Sequence, residues 1–350
     1  MMPGSYPDGP RLLADIGGTN ARFALEYAPG RIAAMQTLAC AGFARFEDAA
    51  RSYLDGIGGG VRHAVIAIAN PVNGDAIKMT NHDWAFSISA ARRELALETL
   101  LVVNDFTALA MSLPTLRDDE LFKIGGGAAK AGGVIGLVGA GTGLGVSGLV
   151  PAGGTWVALE SEGGHVAFSP SDPREVAVLE YLWQRYEHVS AERMVSGPGI
   201  ALIREALAAS RGIATDLSLS TAVIVERALA GSDALCRETL DCFSGMLGTV
   251  AANLAVTLGA TGGVYIGGGV VPRLGDYFAA SPFRARFESK GRFSAFTASI
   301  PTLLITAPYP ALSGAAAVLA QHLGAPHSGT FTPHKLPLPA AKLDIDHASH

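Results

Sequence analysis

Apolar residues along the chain fall into short runs of two kinds, and glycines mark where most of them end. The segment RLLADIGGTNARFALEYAPGRIAAMQTLAC (residues 11–40) reads as strand, tight turn, strand, turn, strand. Gly17, Gly18 and Asn20 mark its first turn, and Pro29 with Gly30 its second. A short helix over residues 45–55 follows, then the apolar strand HAVIAIAN (63–70). ISAARRELAL (88–97) has helical spacing, whereas LLVVN (100–104) is a continuous apolar run suited to a strand covered on both faces. FTALAMSLP (106–114) predicts another short helix, ended by Pro114.

The same order then begins again. GGVIGLVGAGTGLGVSGLVPAGGTWVALE (132–160) gives three more strands with glycine turns, and helices dominate from about Glu175. The clearest helix spans 234–258, where Phe243, Met246, Leu247, Val250, Ala251, Leu254 and Leu258 keep a 3.6-residue spacing and Gly259 suits the C-terminal cap. The strands GVYIGGG (263–269) and PTLLIT (301–306) follow, then a final helix in LSGAAAVLAQHLG (312–324). Two glycine-turned meanders, each followed by helices, predict an α/β protein of two facing lobes. The division expected is residues 1–115, completed by 306–324, against 116–305, with 325–350 a flexible tail.

Composition narrows the picture. Of 350 residues, 49% are apolar and 16% charged, which excludes general disorder. A net charge of -5 lacks the basic footprint of a nucleic-acid binder. Cys40, Cys236 and Cys242 form neither a disulfide framework nor a CxxC pair, which fits a reducing cytoplasm, and Cys236 and Cys242, six apart in a helical pattern, suit small buried roles. The opening MMPGSYPDGP has no apolar segment of the kind a signal peptide needs. Two long uncharged runs, 131–159 and 242–272, are punctuated by glycine and read as buried strands and helices rather than membrane spans.

Candidate chemistry lies at the strand ends. In VGAGTGLGV, Gly139, Gly141, Gly143 and Gly145 alternate with apolar residues. There is no Gly-Lys dipeptide for a Walker A loop, and Leu144 occupies the sixth place of a dinucleotide fingerprint. A hairpin with a bare face that admits a phosphate-bearing ligand is one reading, and a hairpin packed closely on another element is the other. ADIGGTNAR (14–22) sets Asp15 at a strand end, ahead of the donors Thr19 and Asn20 and the charge of Arg22. A carboxylate there suits magnesium, and the turn suits phosphate oxygens; an ordinary hairpin turn is the bland alternative. Asn104 and Asp105 end an apolar strand, where ligands bind in open α/β sheets; Asp105 suits a general base or, equally, a helix cap. Glu162 and His165 in ESEGGHVAF, and Glu192 in HVSAER, suit sugar hydroxyls, or are solvated loop residues. GGVYIGGGVVP (262–272) runs into a triple glycine able to lie against adenine or ribose, with Pro272 opening a helix.

Taken in order, DIGGTNAR, MTNHDWAFS, NDFTA, GAGTGLGV, EGGHV, HVSAER, SGPG and GGVYIGGGVVPR resemble the bacterial glucokinases that lack bound zinc, over about residues 11–324. Ala14 and Ser161 stand where that family has glycine. The resemblance implies the actin–hexokinase fold, two ribonuclease-H-like lobes with the site between them, usually as a homodimer. It implies phosphorylation of D-glucose by ATP to glucose 6-phosphate, the first step of glycolysis, with Mg²⁺ and no zinc. By resemblance, Ala14, Asp15, Ile16, Gly17, Gly18, Thr19 and Asn20 form a first phosphate loop, with Asp15 positioning the metal. Gly139, Gly141, Thr142 and Gly143 form a second, and Gly267, Gly268 and Gly269 an adenosine motif. Asp105 is the implied base, and Asn81, Asn104, Glu162, His165 and Glu192 with Asp105 the implied glucose ligands, His82 lying nearby. The partners expected are glucose and ATP, with no nucleic acid or membrane. A kinase of another hexose or amino sugar is the alternative. A sugar-sensing repressor needs a DNA-binding segment that eleven residues before Leu12 do not accommodate, and a cysteine cluster that three scattered cysteines do not supply.

Overall fold

The computed structural model describes residues 5–324 apart from 81, 215 and 217; the tail expected at 325–350 lies outside the described residues. The first sheet opens with a meander of β1 (Arg11–Ile16), β2 (Asn20–Ala28) and β3 (Arg31–Ala39). After α1 (Phe46–Ile57) comes β4 (His63–Ile68), parallel to β1; a small hairpin follows, of β5 (Ala76–Lys78) and β6 (Ala85–Ser87). Helix α2 (Ile88–Glu94) leads to β7 (Thr99–Asn104), parallel to β4, and the chain turns directly into α3 (Asp105–Ser112). The order across the sheet is β3-β2-β1-β4-β7. Every residue of β4 is buried, as its unbroken apolar run demands. β7 differs from its expectation: it is an edge strand, and only Leu100 and Val102 are fully buried.

The second sheet repeats this arrangement. β8 (Leu121–Ile124) precedes the meander β9 (Ile135–Ala140), β10 (Leu144–Ala152) and β11 (Thr155–Leu159), and β12 (Gly263–Gly267) and β13 (Thr302–Ile305) complete it. The order is β11-β10-β9-β12-β13-β8, with β12 parallel to β9 and to β13. Both sheets are thus an antiparallel meander whose first strand carries two further strands parallel to it, and the second adds β8 at its far edge. What the sequence displays only as paired glycine turns is a repeat of topology.

Between β11 and β12 the chain forms α4 (Pro173–Trp183), α5 (Ala191–Met194), α6 (Gly197–Ala209), α7 (Thr221–Leu229) and α8 (Ala234–Leu258). Side chains of Asp172, Ser190, Ser196, Ser220 and Asp233 cap their N-termini. Gly259, at φ 62°, closes α8 in the left-handed conformation its sequence anticipated. Among the described residues α8 alone is long and apolar enough to cross a membrane, and 78% of its apolar window is buried inside the protein. Helices α9 (Asp276–Ala280), α10 (Phe283–Glu288) and α11 (Ser294–Ser299) follow β12. Pro272 opens a single 3₁₀ turn, Val271–Leu274, rather than an α-helix. The chain ends in α12 (Pro310–His322).

Helices α3 and α12 lie between the sheets. Ala108 of α3 packs with Leu13, Val65 and Ala67 of the first sheet and with Leu312, Ala315 and Leu319 of α12. On the other side of α3, Leu109 and Met111 pack with Leu137, Leu149, Tyr265 and Ile305 of the second sheet and with Ala317. The crossing is close because Gly314 presents no Cβ; an added one would run into the Ala108 carbonyl.

Candidate active site

Parallel pairing brings three strand ends level. Ile16 of β1 is opposite Ile68 of β4, which is opposite Asn104 of β7, so Asp15, Asn70 and Asp105 arrive at one edge of the first sheet. That edge faces the hairpin of β9 and β10 across a cleft of about 690 Å³. Of the residues expected to act, the cleft gathers Asp15, Asn104, Asp105, Gly139, Gly141, Thr142, Gly143, Glu162, His165, Glu192 and Gly268. Ala14 and Ile16 are buried in β1 and face the core. The turn at 17–20 closes through the Gly17 N–H to the Asn20 carbonyl (3.0 Å), and neither it nor Gly267 or Gly269 lines the cleft. His82 lies outside it too, its Nδ1 accepting from the Trp84 N–H at 3.2 Å, and Asn81 lies outside the described residues.

The two readings of the β7–α3 junction divide between neighbouring residues. Asn104 is the cap: its Oδ1 accepts from the N–H groups of Phe106 (2.9 Å) and Thr107 (3.1 Å), and its Nδ2 donates to the Asn70 carbonyl (3.2 Å). Asp105 is the first helical residue, and its Oδ1 accepts from the Phe106 N–H at 2.8 Å. Burial, with the negative charge of Asp15 and a smaller contribution from Glu162, pushes the Asp105 carboxyl up to about 6. Burial raises Asp15 as well, against the pull of Arg22, whose Nη1 lies 3.3 Å from its Oδ2. Two half-buried carboxylates in one cleft, the charge of Asp15 raising Asp105, form a hard oxygen donor set whose negative charge a divalent cation would offset. Among the described residues no three His, Cys, Asp or Glu side chains converge as a metal cluster.

The alternating glycines serve different ends. A Cβ on Gly139 would sit 2.8 Å from the Gly267 carbonyl carbon and 2.9 Å from Cζ of Phe106. One on Gly145 would land on the Phe106 ring, and one on Gly143 on the Glu192 carboxylate. Only at Gly141 does the missing side chain face open space. The bare hairpin face is therefore filled by the protein itself at three of its four glycines, as the close-packing reading expects, and is open at Gly141. Gly268 has φ 81°, and a Cβ there would strike the Ala140 backbone.

On the far side, Glu192 is half-buried and fixed, its Oε2 accepting from the Leu144 N–H at 2.9 Å. His165 stands between carboxylates, Nε2 3.8 Å from Glu162 and Nδ1 4.0 Å from Glu192, with Glu162 and His165 both exposed. Backbone bonds from Phe168 to Val189 (3.0 Å) and from Ala191 to Val166 (2.9 Å) tie their two loops together. Sequence reasoning missed Asn70, Thr80, Phe106, Ser161 and residues 309–311, all of which line the cleft. Asn70 had a usable signal: like Asn104, it is a polar residue just past an apolar parallel strand. Its side chain binds the Lys78 carbonyl and the N–H and Oγ1 of Thr80, each within 2.9 Å. The segment at 309–311 gave none, because it reaches the cleft from the other end of the chain.

A family model described as glucokinase matches residues 12–322. A protein of Burkholderia thailandensis named "Bifunctional protein glk" is 59% identical over 319 residues, which are 91% of this chain and 50% of that protein. The chain thus spans about half the length of this relative and of the other bifunctional relatives. The glucokinase of Chromobacterium violaceum is 55% identical over 91% of both chains. Among solved structures, a glucokinase from an Antarctic psychrotroph superposes with a TM-score of 0.82 at 36% identity, covering 89% of this chain and 99% of that one.

Proposed function

The chain belongs to the glucokinase family, with its two-lobed actin–hexokinase fold, and from that membership we propose that it transfers the γ-phosphoryl group of ATP to the 6-hydroxyl of D-glucose. The observation that carries the reading is the Asp105 carboxyl: half-buried, raised to about 6, and set in one cleft with the open backbone at Gly141 and the Glu162, His165 and Glu192 side chains.

In this reading Asp105 accepts the proton of the 6-hydroxyl as that oxygen bonds to the γ-phosphorus, and the bond from phosphorus to the bridging oxygen breaks to release ADP. A base near 6 is ionised at neutral pH yet basic enough to share the proton as the transfer proceeds. Asn104, Glu162, His165 and Glu192 hold the sugar hydroxyls, and the fixed position of Glu192 orients them. Gly141 and Thr142 offer backbone to the phosphates, and residues 267–269 lie toward the nucleoside. Asp15 would hold magnesium, which when bound supplies positive charge against the phosphate oxygens. Closing of the lobes, divided at 115–116 and 305–306, keeps water from competing as acceptor. Zinc plays no part, and the protein works as a homodimer in the cytoplasm, at the entry to glycolysis.

The test is a coupled assay of ADP release over a panel of hexoses and amino sugars, with ATP and Mg²⁺. Glucose should give the highest kcat/KM; preference for another sugar would keep the chemistry and replace the substrate. Release of ADP unaffected by every sugar would overturn the reading.

A further inference from the structure

Gly145, Gly139 and Gly267 stand side by side on β10, β9 and β12, directly opposite one another in the sheet register. Three neighbouring strands so present bare backbone in one row, and helix α3 lies on it. The Phe106 ring covers Gly145 and Gly139, and Leu109, one turn later, reaches within 2.9 Å of where a Cβ on Gly267 would be. The ring of Phe106 is thus seated in the second sheet. Its backbone belongs to the first: the same residue's N–H donates to Oδ1 of Asp105 at 2.8 Å and to Oδ1 of Asn104 at 2.9 Å. A phenyl ring has two torsions and no hydrogen-bonding atom, so the shape of its socket alone sets where it sits.

We propose that Phe106 is a positioning residue: its ring, locked into the glycine row, holds the Asp105 carboxylate at a set distance from the 141–143 turn. The proposal rests on the phosphoryl-transfer reading above. Of the glycines that resemblance assigns to ATP, Gly139 then acts through the Phe106 ring and Gly267 through Leu109, since their missing Cβ atoms are what let α3 approach.

The test is steady-state kinetics of Phe106→Leu and Phe106→Met with glucose, ATP and Mg²⁺, alongside urea unfolding of the same preparations. The expected result is a kcat lower by about 10- to 100-fold, as a misplaced base gives. Both KM values should stay within about threefold, because the Phe106 side chain has no polar atom with which to hold either substrate. Gly145→Ala presses on the ring from the opposite side and should lower kcat alone. In the Phe106→Leu background it should have little further effect, since the smaller side chain leaves room for the methyl group. An unchanged kcat per folded molecule in all three single-site variants, or a KM for ATP that rises as kcat falls, would overturn the assignment while leaving the kinase reading intact. A wild-type protein that phosphorylates no sugar would overturn both.

Discussion

At the scale of single residues, Asp105 couples the chemistry to stability. Its folded value is about 6 against an ordinary 3.8, so between these the native state binds a proton that the unfolded chain has released. Stability from this group is therefore full below about pH 4 and is lost as pH rises through 6. At pH 8 the ionised carboxylate should cost on the order of 1–2 kcal/mol. Asp105→Asn should accordingly raise Tm by roughly a few degrees at pH 8 and leave it unchanged at about pH 4. The same variant should lower kcat by about 10²–10⁴-fold. In the wild type, kcat/KM should fall on the acid side near pH 6, where the carboxylate is protonated. Thermal scans and pH–rate profiles of the pair check all three, and near-normal turnover in the variant would remove the base. Gly141 is the complementary case. It has open space for a Cβ and does not sit at positive φ, so Gly141→Val should fold with a nearly unchanged Tm. The valine would occupy ground close to the backbone that phosphate needs. We expect a large rise in the KM for ATP with glucose affinity retained, measured by kinetics and calorimetry on one preparation.

At the scale of elements, the junction of α3 and α12 carries more of the architecture than either sequence suggests. Both helices are short and rich in alanine, and in isolation neither has a strong apolar stripe. Their packing is specified by closeness: Gly314 lets α12 approach the α3 backbone at Ala108. Gly314→Ala should therefore cost about 2–4 kcal/mol, because the new methyl meets a backbone carbonyl that cannot turn aside as a side chain can. Gly259→Ala, at a left-handed cap with open space around it, should cost only about 1 kcal/mol. Urea unfolding of the two variants tests the contrast, and equal losses would contradict it.

At the scale of the whole molecule, two sheets of like topology meet across α3 and α12, and the cleft forms where the strand ends of the first face the hairpin of the second. The parts of the site therefore come from both sheets, while the cores that hold those parts are built of apolar side chains. Chelation with EDTA should abolish phosphoryl transfer, and Mg²⁺ should restore it, with the circular dichroism spectrum unchanged throughout. Loss of helical signal on chelation would show that a metal belongs to the fold rather than to the reaction.

Local pattern was enough to establish most strands, the long helix α8 with its cap, the two-fold recurrence of glycine-turned meanders, and the polar residues at strand ends. These are readable because they depend on residues adjacent in sequence: period-two and 3.6-residue spacing, turn chemistry, and a change from apolar to polar at one point. The three- and four-residue strands β5, β6 and β8 were not readable, since so few residues carry no period. Nor did the sequence distinguish the four glycines of the hairpin, which look alike in a row. Only the tertiary structure decides that Gly139 and Gly145 receive a ring, Gly143 a carboxylate, and Gly141 nothing from the protein. It likewise decides that Asn104 caps the helix while Asp105 faces the cleft, and that residues 309–311 arrive beside them. The physical reason is the same in each case: a missing Cβ or a strand-end carboxyl is a local fact, but what fills the space beside it comes from segments far along the chain.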